Sequence, residues 1–250
     1  MIRKFVAETA GPLWVDLHCP IGTVLVAAGA DLEYAEVTVS TTDETGPLAE
    51  AVRNTTGITR QEPGVRALQV RVPETSGGGV TAMNMGDVTI SASGGGVAAM
   101  NISGGVSIVN GRVHVGGHVV SGNQVLVDSR ATVSVLVLVP ARSAIRLTTR
   151  SADLDTSGAP LRAVEATSVS GDVRVGSVQA LTVHTTSGHV SADHVTDLVQ
   201  VVSVAGDVDI DRYEGTRCTV SSTSGDVRMR AYPTATGTIT ARSVSGDVRR

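Results

Sequence analysis

Apolar residues recur at fixed distances from a repeated glycine in the last third of the chain. In five successive segments they stand seven and five positions before the glycine and two positions after it, with mixed residues between them. Alternation on both sides of a turn is the pattern of a β-strand. Each segment therefore predicts two short strands that meet at the glycine. The apolar positions are Val164, Leu181, Val199, Cys218 and Ile239; Ala166, Val183, Val201, Val220 and Ala241; and Val173, Val190, Val208, Val227 and Val248.

A turn of the form Ser-Gly-Asp-Val joins the two strands of a segment, and its glycines are 17, 18, 19 and 21 residues apart. Glycine permits a positive φ at such a turn, and an aspartate can bond to nearby backbone amides. Small hydroxyl residues three positions before the glycine must also bond to one another or to the backbone if they are buried. The predicted turn residues are Gly171, Asp172, Gly188, Gly206, Asp207, Gly225, Asp226, Gly246 and Asp247.

One segment cannot bury its own apolar face, so equivalent strands must stack on one another. The sequence predicts an all-β fold, a single-chain β-solenoid or parallel β-helix with coils of ~18 residues. The small hydroxyl residues near the turn favour a flattened, two-sided form. Looser copies at 77–80, 86–90, 94–97 and 104–108 extend the predicted repeats over residues 76–250, with an interruption near 122–146.

Residues 1–75 lack the repeat and predict a β-rich N-terminal cap that continues into the same structural unit. Strands are expected at 5–7, 13–17, 22–28, 35–41 and 67–72, and one short helix at 46–53, with Pro47 in its first turn. The strand at 133–140 is apolar on both faces. We expect it to be covered on both faces, with a packing surface as the alternative.

Composition and charge argue against proteins that bind nucleic acid or an anionic membrane. Aromatic residues make up 2% of the chain and the net charge is −4 with both signs interspersed, so no basic field is expected for nucleic acid or an anionic membrane. No signal peptide or transmembrane segment is evident, which predicts a cytoplasmic protein without membrane insertion. Cys19 and Cys218 are then expected to be reduced thiols.

The turns at 170–173, 224–227 and 245–248, the Val-Pro strand at 133–140 and the β-rich N-terminal segment resemble a known family. It is the bacterial "putative adhesin" family of unknown-function domains built from β-strand repeats. The resemblance covers essentially the whole chain. It implies a β-solenoid and, in some members, envelope-linked roles, and it brings no catalytic residues with it.

The aspartates of the turns could form a calcium ladder, but each coil offers one Asp and His189 interrupts the column. Calcium sites built from such turns need several oxygens per ion. The pattern therefore favours aspartates that cap turn amides, with arginines nearby to reduce their repulsion. Histidines have no metal-site spacing and are expected to be exposed loop residues. The arginines are Arg174, Arg228 and Arg249, and the histidines are His184, His189, His194, His114 and His118.

Carbohydrate-cleaving β-helix enzymes need clustered acids on one outward sheet. Glu165 and Asp211 show no evident partners, and no nucleophile or phosphate-loop motif is present. The sequence therefore predicts a protein that is not an enzyme and uses no cofactor or metal.

The final segment ends in Val248, Arg249 and Arg250, and Arg250 occupies a position that is apolar in earlier copies. The arginines either protect an open strand edge or mark an end that pairs with another copy. We expect a structural or interaction scaffold that self-associates, as a dimer or filament, or presents an extended face to a protein partner. The alternatives are an envelope-stress or regulatory binding module and a carbohydrate-active enzyme.

Overall fold

The computed structural model describes residues 1–62, 65–74 and 133–249, together with the backbone of short strands between 83 and 119. The described residues form β-strands and one helix, so the predicted all-β class with a single short helix is confirmed. The elements of the N-terminal part are β1 (Ile2–Val6), β2 (Trp14–His18), β3 (Thr23–Gly29), β4 (Glu36–Thr41), α1 (Pro47–Asn54), β5 (Thr56–Glu62) and β6 (Val65–Arg71).

Within the part of the chain that the structure describes, the short strands pair with one another, in two antiparallel groups of three. The glycines of the looser predicted copies, at 77–79, 86, 94–96 and 104–105, lie outside the described residues. The strands are β7 (Met83–Met85), β8 (Val88–Ser91) and β9 (Ala99–Asn101), followed by β10 (Val106–Val109), β11 (Arg112–Val115) and β12 (His118–Val119).

The C-terminal part consists of strands joined by the Gly-Asp turns and by a second set of bends. Two of its strands are long enough to contribute to both sides of the molecule. The strands are β13 (Val133–Pro140), β14 (Ala144–Thr148), β15 (Asp153–Gly158), β16 (Leu161–Ser168), β17 (Val173–Thr185), β18 (Val190–Ser203), β19 (Val208–Tyr213), β20 (Arg217–Ser222), β21 (Val227–Ala231), β22 (Thr238–Ser243) and β23 (Val248–Arg249).

Strands that precede the Gly-Asp turns of the repeats form one stack with β5, β6, β2 and β14, and we call it the pre-turn stack. Its order is β5, β6, β2, β14, β16, the second halves of β17 and β18, β20 and β22. All neighbours in it run parallel except β5 and β6. Strands from the N-terminal segment thus stand directly beside strands of the repeats.

Strands that follow a turn form the second stack, the post-turn stack. Its order is β1, β4, β13, β3, β15, the first halves of β17 and β18, β19, β21 and β23. The pairs β1–β4 and β4–β13 are antiparallel and the others are parallel. Helix α1 begins with Pro47, buries Ala49, Ala51 and Val52, and packs on β1 and β4.

The core lies between the two stacks and consists of the inward columns predicted from the repeat. Val164, Leu181 and Val199 are in register and fully buried. The exception is the last copy, where Val248 is 37% exposed because no described strand lies beyond it.

Strand β13 departs from its prediction. It lies between β3 and β4, and its odd-numbered valines face the core. Leu136, on the other face, is 42% exposed. The expectation of cover on both faces was wrong, because each stack packs on the core with one side only.

Candidate functional site

The turn glycines pack against one another from coil to coil. A Cβ atom added to Gly188 would lie 2.0 Å from the carbonyl oxygen of Gly171, and one added to Gly206 would lie 1.9 Å from that of Gly188. None of the turn glycines has a φ in the left-handed region. The predicted reason for glycine was therefore wrong, since close backbone approach and not a positive φ excludes a side chain here.

Buried hydroxyl groups bind the amides of these glycines. Ser168 Oγ accepts a hydrogen bond from Gly171 N at 2.8 Å, and Thr185 Oγ1 accepts one from Gly188 N at 3.0 Å. The same bond recurs with Ser203, Ser222 and Ser243. Each of these bonds ties the end of a pre-turn strand to its own turn, and it satisfies a donor that the core would otherwise isolate.

The aspartates of the turns bond between coils. The amide of Asp172 donates to Asp153 Oδ1 at 2.9 Å, and that of Asp226 donates to Asp207 Oδ1 at 2.8 Å. The aspartates thus cap turn amides, but the amide belongs to the equivalent residue one coil later. His189 keeps the column continuous, since its Nδ1 accepts from the amide of Asp207 at 3.2 Å.

Charged residues on the outer surface are partly paired. Arg174 lies 3.1 Å from Asp172 and Arg249 lies 3.7 Å from Asp247, whereas Arg228 pairs with Asp209 at 3.4 Å. Exposed pairs of this kind contribute little to stability.

Two acids that were expected to lack partners have them. Glu165 binds Arg146 at 2.8 Å, which raises the pKa of Arg146, and Asp211 lies 3.9 Å from Arg230. These carboxylates are engaged on separate stacks and do not form a catalytic pair.

The histidines do not all lie in loops. His184 and His194 are on strands β17 and β18, and His194 Nε2 lies 3.6 Å from Glu214 Oε2. Hydrogen bonding from Arg212 lowers the pKa of Glu214. Arg212 in turn lies 4.4 Å from the ring centroid of Tyr232. Among the described residues, no group of three or more His, Cys, Asp or Glu side chains could hold a metal ion.

Neither cysteine is in a disulfide, and both are buried, with Cys19 directly after β2 and Cys218 on β20. Burial raises the pKa of the Cys19 thiol to about 12, and its Sγ donates to the carbonyl of Ile21. A thiol with that pKa is not a nucleophile at neutral pH.

The last coil has an open edge, which we call the tail edge. Strands β22 and β23 pair with β20 and β21, and within the described part of the chain nothing pairs along their other sides. No described amide donates to the carboxylate of Asp247, which is 76% exposed. Of the residues predicted for this end, Val248 and Arg249 form β23, and Arg250 lies outside the described residues.

A second cluster was not predicted from the sequence. Trp14, the one tryptophan of the chain, lies on the outer side of β2. The guanidinium carbons of Arg146 and Arg162 lie 5.1 Å and 5.5 Å from its ring centroid. The three residues come from distant segments and meet only because β2, β14 and β16 are neighbours, so no spacing in the sequence could indicate the cluster.

Residues 106–249 match the family Toastrack DUF4097, a domain of unknown function. The match spans more than half of the chain, and the chain belongs to this family. None of the curated proteins compared with the chain matches it.

A solved structure described as a "putative cell adhesion protein" from Clostridium sporogenes is 7% identical, with a TM-score of 0.46 over 93% of this chain and 100% of that one. At that identity and TM-score the likeness carries no argument about function. Among the described residues, no helix is long and apolar enough to cross a membrane.

Proposed function

We propose that the chain is a β-solenoid scaffold without enzymatic activity that associates with a second copy of itself through the tail edge. The solenoid interpretation rests on parallel register across successive turns: Val173 stands opposite Val190, and Val208 opposite Val227. Each step advances the chain by one repeat, as in a flattened parallel β-helix. Residues 1–75 supply the cap in this interpretation.

The open tail edge is the observation that carries the proposed association. An exposed strand edge offers unpaired backbone groups to another chain. At the tail edge these groups lie beside a partly exposed Val248 and the carboxylate of Asp247, to which no amide of the described residues donates. A second copy would bury all three features together.

The opposite end of the molecule favours a pair over a filament. There the stacks finish in the antiparallel strands β1 and β5, and α1 packs on β1. This end does not repeat the turn geometry that a head-to-tail neighbour would have to continue. Two tail edges related by a two-fold axis instead meet as like surfaces with antiparallel strands.

Light scattering coupled to size exclusion tests the proposal. We expect the protein to have twice its chain mass of 25.5 kDa. Lysines at strand edges block pairing, so Thr240→Lys combined with Val248→Lys is expected to give a monomer. The matched control, Thr219→Lys with Val204→Lys, places the same changes on an inner strand and an inner turn, and it is expected to remain a dimer.

A strict monomer at high concentration would overturn the self-association. A ladder of larger assemblies would overturn the paired arrangement in favour of a filament. A dimer that survives the Thr240→Lys, Val248→Lys change with its melting temperature intact would place the interface elsewhere.

A further inference from the structure

A row of arginines follows one edge of the pre-turn stack around Trp14. Strands β6, β2, β14 and β16 are successive parallel neighbours, so they all begin at this edge. Arg66, Arg142 and Arg162 stand at or just before the starts of three of them, and Trp14 begins the fourth. We call these four residues the arginine edge.

The arginines of this edge are exposed and not neutralised by described carboxylates. Arg66 donates to the carbonyl of Ala10 at 3.2 Å, and Arg162 lies over the ring of Trp14. Neither of them, nor Arg142, forms an ion pair within the described residues. In a chain with a net charge of −4, this edge is a local concentration of positive charge.

Two acids on the same outer face, Asp16 and Glu165, are already engaged. Asp16 Oδ2 accepts from Gln69 Nε2 at 2.8 Å, and Glu165 binds Arg146. Neither carboxylate forms an ion pair with Arg66, Arg142 or Arg162. The backbone of Glu33, in the loop after β3, lies at the β2 end of the edge. Its carbonyl oxygen accepts a hydrogen bond from the amide of Gly11 there.

The burial of Ala144 indicates that the Trp14 ring and the Arg162 guanidinium form a continuous surface. The side chain of Ala144 belongs to the outward row that joins Trp14 to Ala163, yet it is fully buried. Arg162 and Trp14 are on the two strands that flank it, so their contact passes over it. The result is a platform of one indole with the guanidinium groups of Arg146 and Arg162 over its ring.

We propose that the arginine edge binds an acidic polysaccharide whose chain lies across strands β6 to β16. Guanidinium groups bind carboxylates and sulfates in a bidentate manner. The amphipathic indole offers contact area to a sugar ring, and the Asp16–Gln69 pair offers hydrogen-bonding groups to hydroxyls. The three strand spacings from β6 to β16 make a platform of about 15 Å.

Other polyanions fit the platform less well. Single-stranded nucleic acid is bound by several aromatic residues that stack on successive bases, and one ring is present here. Peptides are bound at strand edges or in grooves, whereas this platform is the flat outer side of paired strands. A flat surface with one ring and several fixed cations suits a stiff, regularly charged sugar chain.

Trp14 is the only tryptophan, so its fluorescence reports directly on the platform. The experiment titrates the whole chain with oligogalacturonate in the absence of divalent cations. We expect a saturable change in emission that weakens as salt is added. The fully methyl-esterified oligosaccharide, which has the same backbone without charge, should leave the emission unchanged.

Variants localise the binding. Arg142→Gln with Arg162→Gln is expected to weaken binding by about tenfold, because it removes two charged contacts. Arg228→Gln with Arg230→Gln removes two exposed arginines from the post-turn stack and should leave the affinity unchanged. Melting temperature and solution mass establish that both variants stay folded.

The inference would be overturned if oligogalacturonate gave no saturable change in emission. It would also be overturned if Arg228→Gln with Arg230→Gln weakened the binding as much as Arg142→Gln with Arg162→Gln. If poly-glutamate or single-stranded DNA bound more tightly, that polyanion and not a polysaccharide would be the ligand. The arginine edge and the tail edge involve different strands. A protein that dimerises but ignores the sugar therefore refutes this inference alone, and a sugar-binding monomer refutes the association alone.

Discussion

Each turn glycine of the repeats lies against the carbonyl oxygen of the turn one coil earlier. Gly206 approaches Gly188 in this way, and Gly225 approaches Gly206. The contact is between backbone atoms, so no rearrangement of a flexible side chain could relieve an added methyl group. Alanine is therefore excluded by the stack and not by the conformation of the turn.

We predict that Gly206→Ala lowers the free energy of unfolding by at least about 2 kcal/mol, because its Cβ would overlap a carbonyl oxygen. Chemical denaturation followed by circular dichroism measures the change. Ser187→Ala alters an exposed residue of a neighbouring turn and should stay within about 0.5 kcal/mol of the parent. Equal effects of the two substitutions would contradict the close approach.

At the scale of elements, two side chains bind backbone amides at each turn. A hydroxyl accepts from the glycine amide of its own turn, and an aspartate carboxylate accepts from an amide of the next turn. The hydroxyl can be Ser or Thr, since Thr185 makes the same bond as Ser168. The second acceptor can be a carboxylate or the ring nitrogen of His189. What the turn requires is an acceptor at a fixed place, and the identity of the residue is secondary.

Substitutions of Ser222 test the requirement for a hydrogen-bond acceptor at the turn. Ser222→Ala leaves the buried amide of Gly225 without an acceptor and is expected to cost about 1–3 kcal/mol of the free energy of unfolding. Ser222→Thr keeps the acceptor and should recover most of that loss. Thermal and urea unfolding measure the stability of the two variants. An alanine variant as stable as the threonine variant would show that the bond is dispensable.

The repeats could be predicted from the sequence because their inward columns depend on alternation within a few residues. The alignment that placed Leu181 between Val164 and Val199 needed no knowledge of the rest of the chain. The site around Trp14 depends on strands β2 and β3 standing beside strands more than a hundred residues later. No local pattern encodes that neighbourhood, and the inter-coil bonds of Asp172 escaped prediction for the same reason.

At the scale of the whole molecule, stability should vary along the stacks. Strands β17 and β18 have paired neighbours on both sides in both stacks, whereas β22 and β23 have a described neighbour on one side. In stacked repeats each coil is stabilised mainly by its neighbours. We therefore predict that the last coil opens before the central coils.

Hydrogen exchange measured by mass spectrometry tests this gradient. Amides of β22 and β23 are expected to exchange well before those of β17 and β18. If the tail edge is the dimer interface, raising the protein concentration should slow exchange in β22 and β23 and leave β17 and β18 unchanged. Uniform exchange across all coils would mean that the molecule opens as one cooperative unit.

The bonds of the aspartate column all point the same way along the chain. The acceptor belongs to the earlier coil, as with Asp153 and Asp207, and the donor belongs to the coil that follows. A chain that leaves the ribosome from its N-terminus would therefore meet, at every turn, an acceptor that is already in place. We expect the column to favour assembly of the coils in chain order, since each finished coil offers this acceptor to the next.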